Sequence, residues 1–241
     1  IKELEIMSGK LKKAFARLEE LDSDKAKIIQ FLYHELLTPL NHVGASQVID
    51  SKELSDDNRA MLEIVKKGFN RLNLLIKAFM DYFEFMGSEL TINKKTIEID
   101  QHVTKILNDL KQSISSRNLV IDADFNEAPS IKFDPDYFDL ALRVIIQNAI
   151  NHSDKEGTIQ IQTKKSAEGT TRLIVGDKGT GILRENLEKI FHAFDLENYY
   201  HHEEGFGLNL SKVKYIVETH EGKIWAESEG LEKGTRFIIE V

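Results

Sequence analysis

Apolar residues recur every seven positions through the first 32 residues of the chain. Counted from Leu4, the a positions are Leu4, Leu11, Leu18, Lys25 and Leu32, and the d positions are Met7, Ala14, Leu21 and Ile28. This repeat predicts a parallel two-stranded coiled coil over residues 1–28, with Lys25 as a charged position that can set the register. We therefore expect a homodimer. Because the helical pattern is already present at Ile1, we also expect an upstream sensor or input domain.

The next segment, residues 29–88, has the pattern of a helical hairpin. Pro39 lacks an amide hydrogen and removes the helical hydrogen bond to the Glu35 carbonyl, so a kink is expected there. Helix resumes to about Ile49, and the polar run 55–58 predicts a turn and cap before a second amphipathic helix. The apolar face of that helix comprises Met61, Val65, Leu72, Leu75, Phe79 and Phe83. In a dimer, two such hairpins form a four-helix bundle.

From Leu90 onwards, short β-rich runs alternate with helical runs. Strands are predicted over 96–99, 119–123, 131–133, 158–163, 172–175, 223–226 and 236–241, and helices up to about Ser116, over 135–152, near Asn186 and over 211–220. This alternation predicts an α/β sandwich over residues 89–241. The fold class of the chain is therefore α+β, with a coiled coil and dimeric four-helix bundle followed by a sandwich domain.

Composition excludes several classes of function. The chain has 241 residues, no cysteine and a formal net charge of −8. Without cysteine there is no disulfide scaffold, thiolate zinc site, iron–sulfur cluster or cysteine nucleophile. The net negative charge argues against non-specific binding to nucleic acid, so no nucleic-acid partner is expected. No apolar run approaches the ~18–20 residues that span a bilayer, and a cytoplasmic location is expected for this part of the protein.

His34 and its neighbours form a candidate catalytic unit. If Leu32 is an a position, His34 is a c position and points away from the coiled-coil seam. Glu35 can accept a hydrogen bond from its Nδ1–H, which leaves Nε2 as the free nucleophilic nitrogen. Thr38 lies one turn later, where its hydroxyl can hold a water molecule. The alternative interpretation is that the three are ordinary surface residues of a kinked helix.

In the second domain, three short segments are candidates for a shared ligand site. They are the helix end 147–153, the turn 177–181 and the run 205–210. A strand-end carboxylate such as Asp177 can accept from an adenine amino group, and glycines admit close backbone approach. A helix that begins near Gly207 offers free N–H groups to anionic oxygen. Each segment alone also fits a surface amide, a turn former or ordinary loop glycines.

Taken together, these motifs resemble the two-domain core of bacterial sensor histidine kinases. The run 34–40 (HELLTPL) resembles their phosphoacceptor box, and the second domain resembles their Bergerat, or GHKL-type, ATP-binding domain, which DNA gyrase B subunits share. Asn148 matches the N box, Asp177, Gly179 and Gly181 the first glycine box, Phe191 and Phe194 the aromatic box, Gly205, Gly207 and Leu208 the second glycine box, and Gly234, Thr235, Arg236 and Phe237 the closing strand pair.

The resemblance implies an enzyme that uses ATP and Mg²⁺. His34 would be the phosphoacceptor, Glu35 its hydrogen-bond partner and base, and Thr38 would position water for the reverse, phosphatase, reaction. Asn148 would bind Mg²⁺ and Asp177 would bind adenine, supported by the Thr235 hydroxyl. The expected nucleotide-binding residues are Asn148, Asn151, His152, Asp177, Gly179, Gly181, Ile182, Phe194, Gly205, Phe206, Gly207, Leu208 and Thr235. The phosphoryl group would pass to an aspartate on the receiver domain of a response regulator.

Several positions depart from the family pattern. Val144 and Asn151 replace an asparagine and a lysine of the N box, Phe206 and Asn209 replace a small hydroxyl residue and a glycine of the second glycine box, and Leu37 replaces a basic residue. The segment 195–204, the expected lid over ATP, has four carboxylates and neither arginine nor lysine. Carboxylates repel a triphosphate, so the alternative function is a degenerate, kinase-like dimeric scaffold that acts by docking partners.

Two further interpretations are weaker. The adjacent loop residues His201 and His202, with Glu203, are compatible with a metal site, but paired loop histidines are more often solvated. A gyrase-like ATPase that moves its own domains would leave the His34 run unexplained.

Overall fold

The structure is a computed structural model that describes residues 55–87, 90–166, 168–193 and 208–241. The chain divides into two compact units, Ile1–Glu89 and Leu90–Val241. Several predicted features lie outside the described residues: the coiled coil, the Pro39 kink, the catalytic candidates His34, Glu35 and Thr38, and the site residues Phe194, Gly205, Phe206 and Gly207. Within the described ranges, no helix is long and apolar enough to cross a bilayer.

In the first unit the described element is a single long helix, α1 (Asp56–Gly87). Ser55 lies just before it and accepts hydrogen bonds from two amides of the first turn, Asn58 N–H to its hydroxyl at 3.4 Å and Arg59 N–H to its carbonyl at 2.9 Å. The predicted second amphipathic helix is therefore confirmed. Five large apolar side chains on α1 are exposed: Met61, Ile64, Val65, Leu72 and Leu74.

The second unit is built on two sheets. Its strands are β1 (Lys95–Glu98), β2 (Val120–Asp124), β3 (Ser130–Phe133), β4 (Thr158–Lys165), β5 (Thr171–Gly176), β6 (Lys223–Glu227) and β7 (Arg236–Glu240). β1 and β3 pair as a two-stranded antiparallel ribbon, and the other five form a sheet in the order β2-β4-β5-β7-β6. β2 runs parallel to β4, and the remaining neighbours are antiparallel.

The helices of the second unit are α2 (Ile99–Asp109), α3 (Lys111–Ser116), α4 (Pro135–His152) and α5 (Asn209–Thr219). α4 packs against α2 and α5. The single helix predicted to reach Ser116 is broken at Leu110, whose ψ of 6° lies outside the helical range and whose side chain is buried. The helix predicted near Asn186 consists instead of two 3₁₀ turns, Arg184–Asn186 and Lys189–Phe191.

Alternation along the strands gives the main sheet one buried face and one exposed face. Val175 lies between Ile161 on β4 and Phe237 on β7, and all three side chains are buried. Lys164 and Arg172, which pair directly, are exposed. The apolar face is covered by helices, and β5 and β6 contact α4 and α5 respectively. The predicted α/β sandwich is confirmed, and the dimeric bundle remains a prediction.

Candidate nucleotide-binding site

Asp177 directly follows β5 and is buried, with 8% of its surface exposed. Its Oδ1 atom accepts two backbone hydrogen bonds, from Gly179 N–H at 2.9 Å and from Thr235 N–H at 3.3 Å. The Asp177 amide in turn donates to the Thr235 carbonyl at 2.9 Å. Because both bonds to the carboxylate end on one oxygen, Oδ2 is left as an acceptor for an external donor such as an exocyclic amino group.

The electrostatic environment of Asp177 opposes its ionisation. Burial raises the pKa of the Asp177 carboxyl, the hydrogen bonds from Gly179 and Thr235 lower it, and the nearby charge of Asp154 raises it further, with a net increase. A buried carboxyl with a raised pKa at the end of a strand is a candidate functional position.

Three glycines allow the segments around Asp177 to touch. A Cβ on Gly179 would lie 1.7 Å from the His152 carbonyl oxygen, and one on Gly234 would lie 2.1 Å from the Asp177 carbonyl oxygen. Gly181 has φ +67°, and its Cβ would lie 2.0 Å from the Gly230 carbonyl oxygen. The sequence interpretation expected glycines 179 and 181 to admit a ligand. In the structure their close neighbours are protein backbone, so these glycines also hold the site together.

Backbone hydrogen bonds join the same segments. Thr180 N–H donates to the His152 carbonyl at 3.1 Å, which ties the glycine loop 177–182 to the carboxyl end of α4. On its other side, Gly234 N–H donates to the Gly179 carbonyl at 3.0 Å and Glu232 N–H to the Thr180 carbonyl at 2.7 Å. The glycine loop therefore lies between α4 and the β6–β7 loop, residues 228–235.

The last turns of α4 carry Asn148, Asn151 and His152. Gln147 donates from Nε2 to Asn151 Oδ1 at 2.8 Å, so the Asn151 oxygen is already engaged and its amino group is the part left to reach outward. Asn148 is half-buried and makes no side-chain hydrogen bond within the described ranges. The structure brings His152 against the glycine loop through its carbonyl, and Asn148 lies one turn earlier on the same helix.

Thr235 and Leu208 are both buried. Thr235 contacts Asp177 through its main chain, where the sequence interpretation expected its hydroxyl. Leu208 directly precedes α5, and no described side chain caps that helix end. Among the described residues the first amides of α5 therefore have no side-chain partner, and the anion site expected of a helix beginning near Gly207 stays a prediction.

The donor set fits a magnesium ion only when phosphate oxygens complete it. Asn148 supplies one hard amide oxygen, the type of ligand Mg²⁺ accepts alongside water and phosphate. No cluster of three or more histidine or acidic side chains with metal-ligand geometry occurs among the described residues. Asn148 could therefore hold Mg²⁺ that arrives with a nucleotide, and a permanent metal centre does not fit the described part of the site.

Sequence reasoning missed Ser228, Gly230 and the side chain of Gln147. Ile182, which it did select, donates its amide hydrogen to Ser228 Oγ at 3.0 Å. The available signal was the run from Ser228 to Gly234, whose two glycines both adopt positive φ. The sequence does not show that this run would cross the glycine loop, because the contact depends on strand order.

Comparison with known proteins agrees with this geometry. Residues 133–241 match the family of histidine kinase-, DNA gyrase B- and HSP90-like ATPases. The chain is 26% identical over 239 residues to the sensor histidine kinase YclK of Bacillus subtilis strain 168, covering 97% of this chain and 50% of that protein. It is 28% identical over 221 residues to the adaptive-response sensory kinase SasA of Prochlorococcus marinus strain MIT 9215, covering 89% and 58%. It thus spans only about half of YclK.

Solved structures show the same fold. Full-length ShkA, crystallised with AMPPNP, matches 89% of this chain and 45% of its own at a TM-score of 0.64 and 20% identity. The histidine kinase ThkA, crystallised with the response regulator protein TrrA, matches 89% and 60% at a TM-score of 0.62 and 22% identity. The chain is thus similar in sequence and fold to bacterial sensor histidine kinases, and its residues 133–241 match the histidine kinase-, DNA gyrase B- and HSP90-like ATPases.

Proposed function

We propose that the chain is the core of an ATP-dependent protein histidine kinase that phosphorylates itself on His34 and serves a response regulator. The observation that supports this most directly is the buried Asp177 carboxylate, whose Oδ1 is held by two backbone amides while Oδ2 is left to accept from adenine. Guanine presents a carbonyl at the corresponding edge and would be repelled by a carboxylate oxygen.

The phosphates would extend from this base site toward α4 and α5. Asn148 would hold Mg²⁺, which neutralises charge on the phosphate oxygens, and the open amides before Ser211 on α5 would bind a phosphate oxygen. The segment 195–204 brings four carboxylates and no basic side chain. The sequence therefore predicts weaker nucleotide affinity than a lid with arginine or lysine would give.

In the proposed reaction, His34 Nε2 attacks the γ-phosphorus in line. The new N–P bond forms as the P–O bond to the β-phosphate breaks, and ADP leaves with the released charge. Glu35 accepts the proton from Nδ1, which keeps the phosphorylated imidazole neutral. The phosphoryl group then passes to a receiver aspartate, and Thr38 positions water for the phosphatase reaction. The complex of ThkA with TrrA supports a response regulator as the partner class.

The test is incubation of the 241-residue chain with Mg²⁺ and γ-labelled ATP. We expect a label that is stable to alkali and labile to acid, as a phosphoramidate is, and that is lost in His34→Gln. His192→Gln is the matched control, because His192 is an exposed histidine outside the proposed site, and it should label as the wild type does. Label that persists in His34→Gln would contradict the proposed phosphoacceptor.

A second candidate function is the degenerate scaffold. It is favoured by the hydrogen bond between Gln147 and Asn151, which occupies the oxygen of a residue standing where a phosphate-facing lysine is usual, and by the acidic segment 195–204. Receiver binding that is independent of nucleotide, with no label at saturating ATP, would select this function over the kinase.

A further inference from the structure

The side chain of Ser228 joins the two loops that surround the base site. Ser228 directly follows β6 and is half-buried. Its Oγ accepts the Ile182 amide hydrogen at 3.0 Å and the Gly230 amide hydrogen at 3.3 Å. It lies 2.6 Å from the Gly234 carbonyl and 3.2 Å from the Gly230 carbonyl. A hydroxyl has one hydrogen to donate, and the shorter distance assigns it to Gly234.

These partners place Ser228 between the two ends of the base site. Gly234 immediately precedes Thr235, whose amide holds Asp177 Oδ1, while Ile182 ends the glycine loop that Asp177 begins. The Ser228 hydroxyl thus links Gly234, next to the residue that holds Asp177, to Ile182, the last residue of the glycine loop. Among the described hydrogen bonds, Ser228 is the only side chain of the β6–β7 loop that bonds to the glycine loop.

The close contacts between the two loops, at Gly181 and Gly230 and at Gly234 and Asp177, are made with main-chain atoms and not by interlocking side chains. The loops are joined by backbone hydrogen bonds, among them those from Gly234 and Glu232, and by the bonds of the Ser228 hydroxyl. Hydrogen bonds therefore set where Ile182 and Asp177 stand relative to each other. Removal of the Ser228 hydroxyl would leave the Ile182 amide and the Gly234 carbonyl without their partner.

We propose that Ser228 is a positioning residue that sets base affinity and base discrimination by fixing the glycine loop against the β6–β7 loop. The inference rests on the proposed nucleotide site and adds the residue that gives the site its selectivity. Ser228 acts through Ile182 and Gly234 and touches no phosphate in this scheme, so its loss should affect nucleotide binding more than the rate of phosphoryl transfer.

The experiment measures dissociation constants of the full 241-residue chain for a non-hydrolysable ATP analogue and its GTP counterpart, by calorimetry with Mg²⁺. In Ser228→Ala we expect affinity for the ATP analogue to fall about tenfold, the effect of losing one hydrogen bond, with a smaller change for the GTP analogue. The ratio of the affinities for the ATP and GTP analogues should therefore decrease. In labelling kinetics, KM for ATP should rise about tenfold while kcat stays within about twofold.

Conservative and control variants separate positioning from general stability. Ser228→Thr keeps the hydroxyl and should restore affinity and discrimination to within about threefold of wild type. Ser166→Ala is the matched control, because Ser166 Oγ closes the β4–β5 turn by accepting from Glu168 N–H and Thr170 N–H at 3.2 Å. It should lower the melting temperature to a similar degree and leave the ATP-to-GTP preference unchanged.

The outcomes distinguish this proposal from the proposed function. If the wild type binds the ATP analogue and Asp177→Asn does not, the proposed nucleotide site is supported. If Ser228→Ala then binds the analogue with unchanged affinity and unchanged adenine preference, the proposed role of Ser228 is wrong. If the wild type binds neither analogue, the proposed function and this inference fall together. Should Ser228→Ala not fold, Ser228→Cys replaces it, and an unchanged adenine preference there overturns the proposal, because sulfur is a weak donor and acceptor.

Discussion

Asp177 combines a requirement for charge with an environment that disfavours charge. In the proposed site, Oδ2 accepts from an adenine amino group best as part of a carboxylate, because Oδ1 already accepts two amide hydrogens and the proton of the neutral carboxyl would lie on Oδ2. Burial, however, raises the pKa of Asp177. A residue in this position lowers the stability of the nucleotide-free protein near neutral pH, and a ligand that donates to Oδ2 recovers that loss. The proposed adenine contact is therefore obtained at the expense of the stability of the nucleotide-free protein.

The Asp177→Asn substitution tests this conflict directly. Asn Oδ1 can keep the bonds from Gly179 and Thr235, which places the Nδ2 donor where the carboxylate acceptor stood, facing the amino donor of adenine. We expect affinity for ATP to fall by about 100-fold or more, equivalent to about 2.8 kcal/mol. The nucleotide-free variant should be more stable than the wild type at pH 7.5, measured by urea denaturation.

The pH dependence of that stability difference has a definite sign. With a pKa raised in the folded state, the Asp177 contribution to stability is fully present below the ordinary carboxyl pKa and is lost as pH rises through the raised pKa. Asparagine does not titrate, so the Asp177→Asn variant does not lose this stability as the pH rises. The advantage of the variant should therefore grow as the pH rises from the ordinary carboxyl pKa of 3.8 through the raised pKa, and it should be larger at pH 7.5 than at about pH 3.5. An equal difference at both values would show that Asp177 is not desolvated as described.

At the scale of elements, His220 joins the ends of two helices. It caps the carboxyl end of α5, stacks on Phe133 with ring centroids 3.7 Å apart, and is buried. Its Nδ1 donates to the Ile216 carbonyl at 2.8 Å, since a carbonyl can only accept, and Nε2 therefore accepts the Asp134 amide hydrogen at 3.2 Å. Asp134 is the N-cap of α4, so one imidazole fixes both helix ends.

This arrangement requires a neutral imidazole and predicts acid sensitivity. Burial lowers the pKa of His220, which the Ile216 hydrogen bond only partly offsets. The stability from His220 is present above its unfolded pKa of about 6.5 and is lost as pH falls below it. Each pH unit below that value should remove at most about 1.4 kcal/mol of unfolding free energy, until the folded pKa is reached.

Urea denaturation at pH 7.5 and pH 5.5 measures the effect. His220→Phe keeps a ring that can stack on Phe133 but has no titrating nitrogen, so it should be less stable than wild type at pH 7.5 and lose less on acidification. His192→Gln is the control and should keep the wild-type acid loss, because His192 is exposed. An identical acid loss in His220→Phe would assign the sensitivity to other groups.

The course of the strands and helices could be predicted from the sequence, and their order in space could not. Alternation of apolar and polar residues marks β4 and β5, and the Asp134-Pro135 start marks α4, because these signals are local. The break at Leu110 and the 3₁₀ turns near Asn186 carry no distinct local signal. The placement of β7 between β5 and β6 depends on long-range pairing, so the local pattern of apolar and polar residues does not predict it.

The site residues also fall into those that local sequence predicts and those that depend on the fold. Asp177, Gly179 and Gly181 were selected because a carboxylate and glycines after a strand have recognisable chemistry. Ser228 carries no such signal, because its proposed role depends on Ile182, the neighbour that strand order gives it, and not on its own sequence context. The expected role of the Thr235 hydroxyl was assigned from resemblance, and the structure gives its contact with Asp177 to the main chain.

At the scale of the whole molecule, α1 carries an apolar stripe suited to self-association. Met61, Ile64, Val65 and Leu72 are 69%, 70%, 50% and 44% exposed. At about 100° per residue they lie within roughly 100° of the helix circumference, whereas the fifth exposed apolar side chain of α1, Leu74, lies on the other side. Exposed apolar surface of this kind is typical of an interface, which supports the homodimer predicted from the sequence.

Substitution within that stripe should dissociate the predicted dimer. The double variant Ile64→Glu, Leu72→Glu would bury two carboxylates in the interface, and we expect a monomer at concentrations where the wild type is dimeric by multi-angle light scattering. Asn70→Glu is the control, because Asn70 is exposed and lies on the opposite side of α1. A dimer that survives the double variant would place the interface elsewhere.

The three glycine contacts around Asp177 also bear on how the site can change. They press main chain against main chain, while the side chains of Lys178, Leu231 and Glu232 face outward and are exposed. Substitution of these exposed side chains can therefore change the surface around the proposed site without disturbing the main-chain contacts that hold it together. A library designed to retune nucleobase choice should randomise those outward positions and hold glycines 179, 181, 230 and 234 constant.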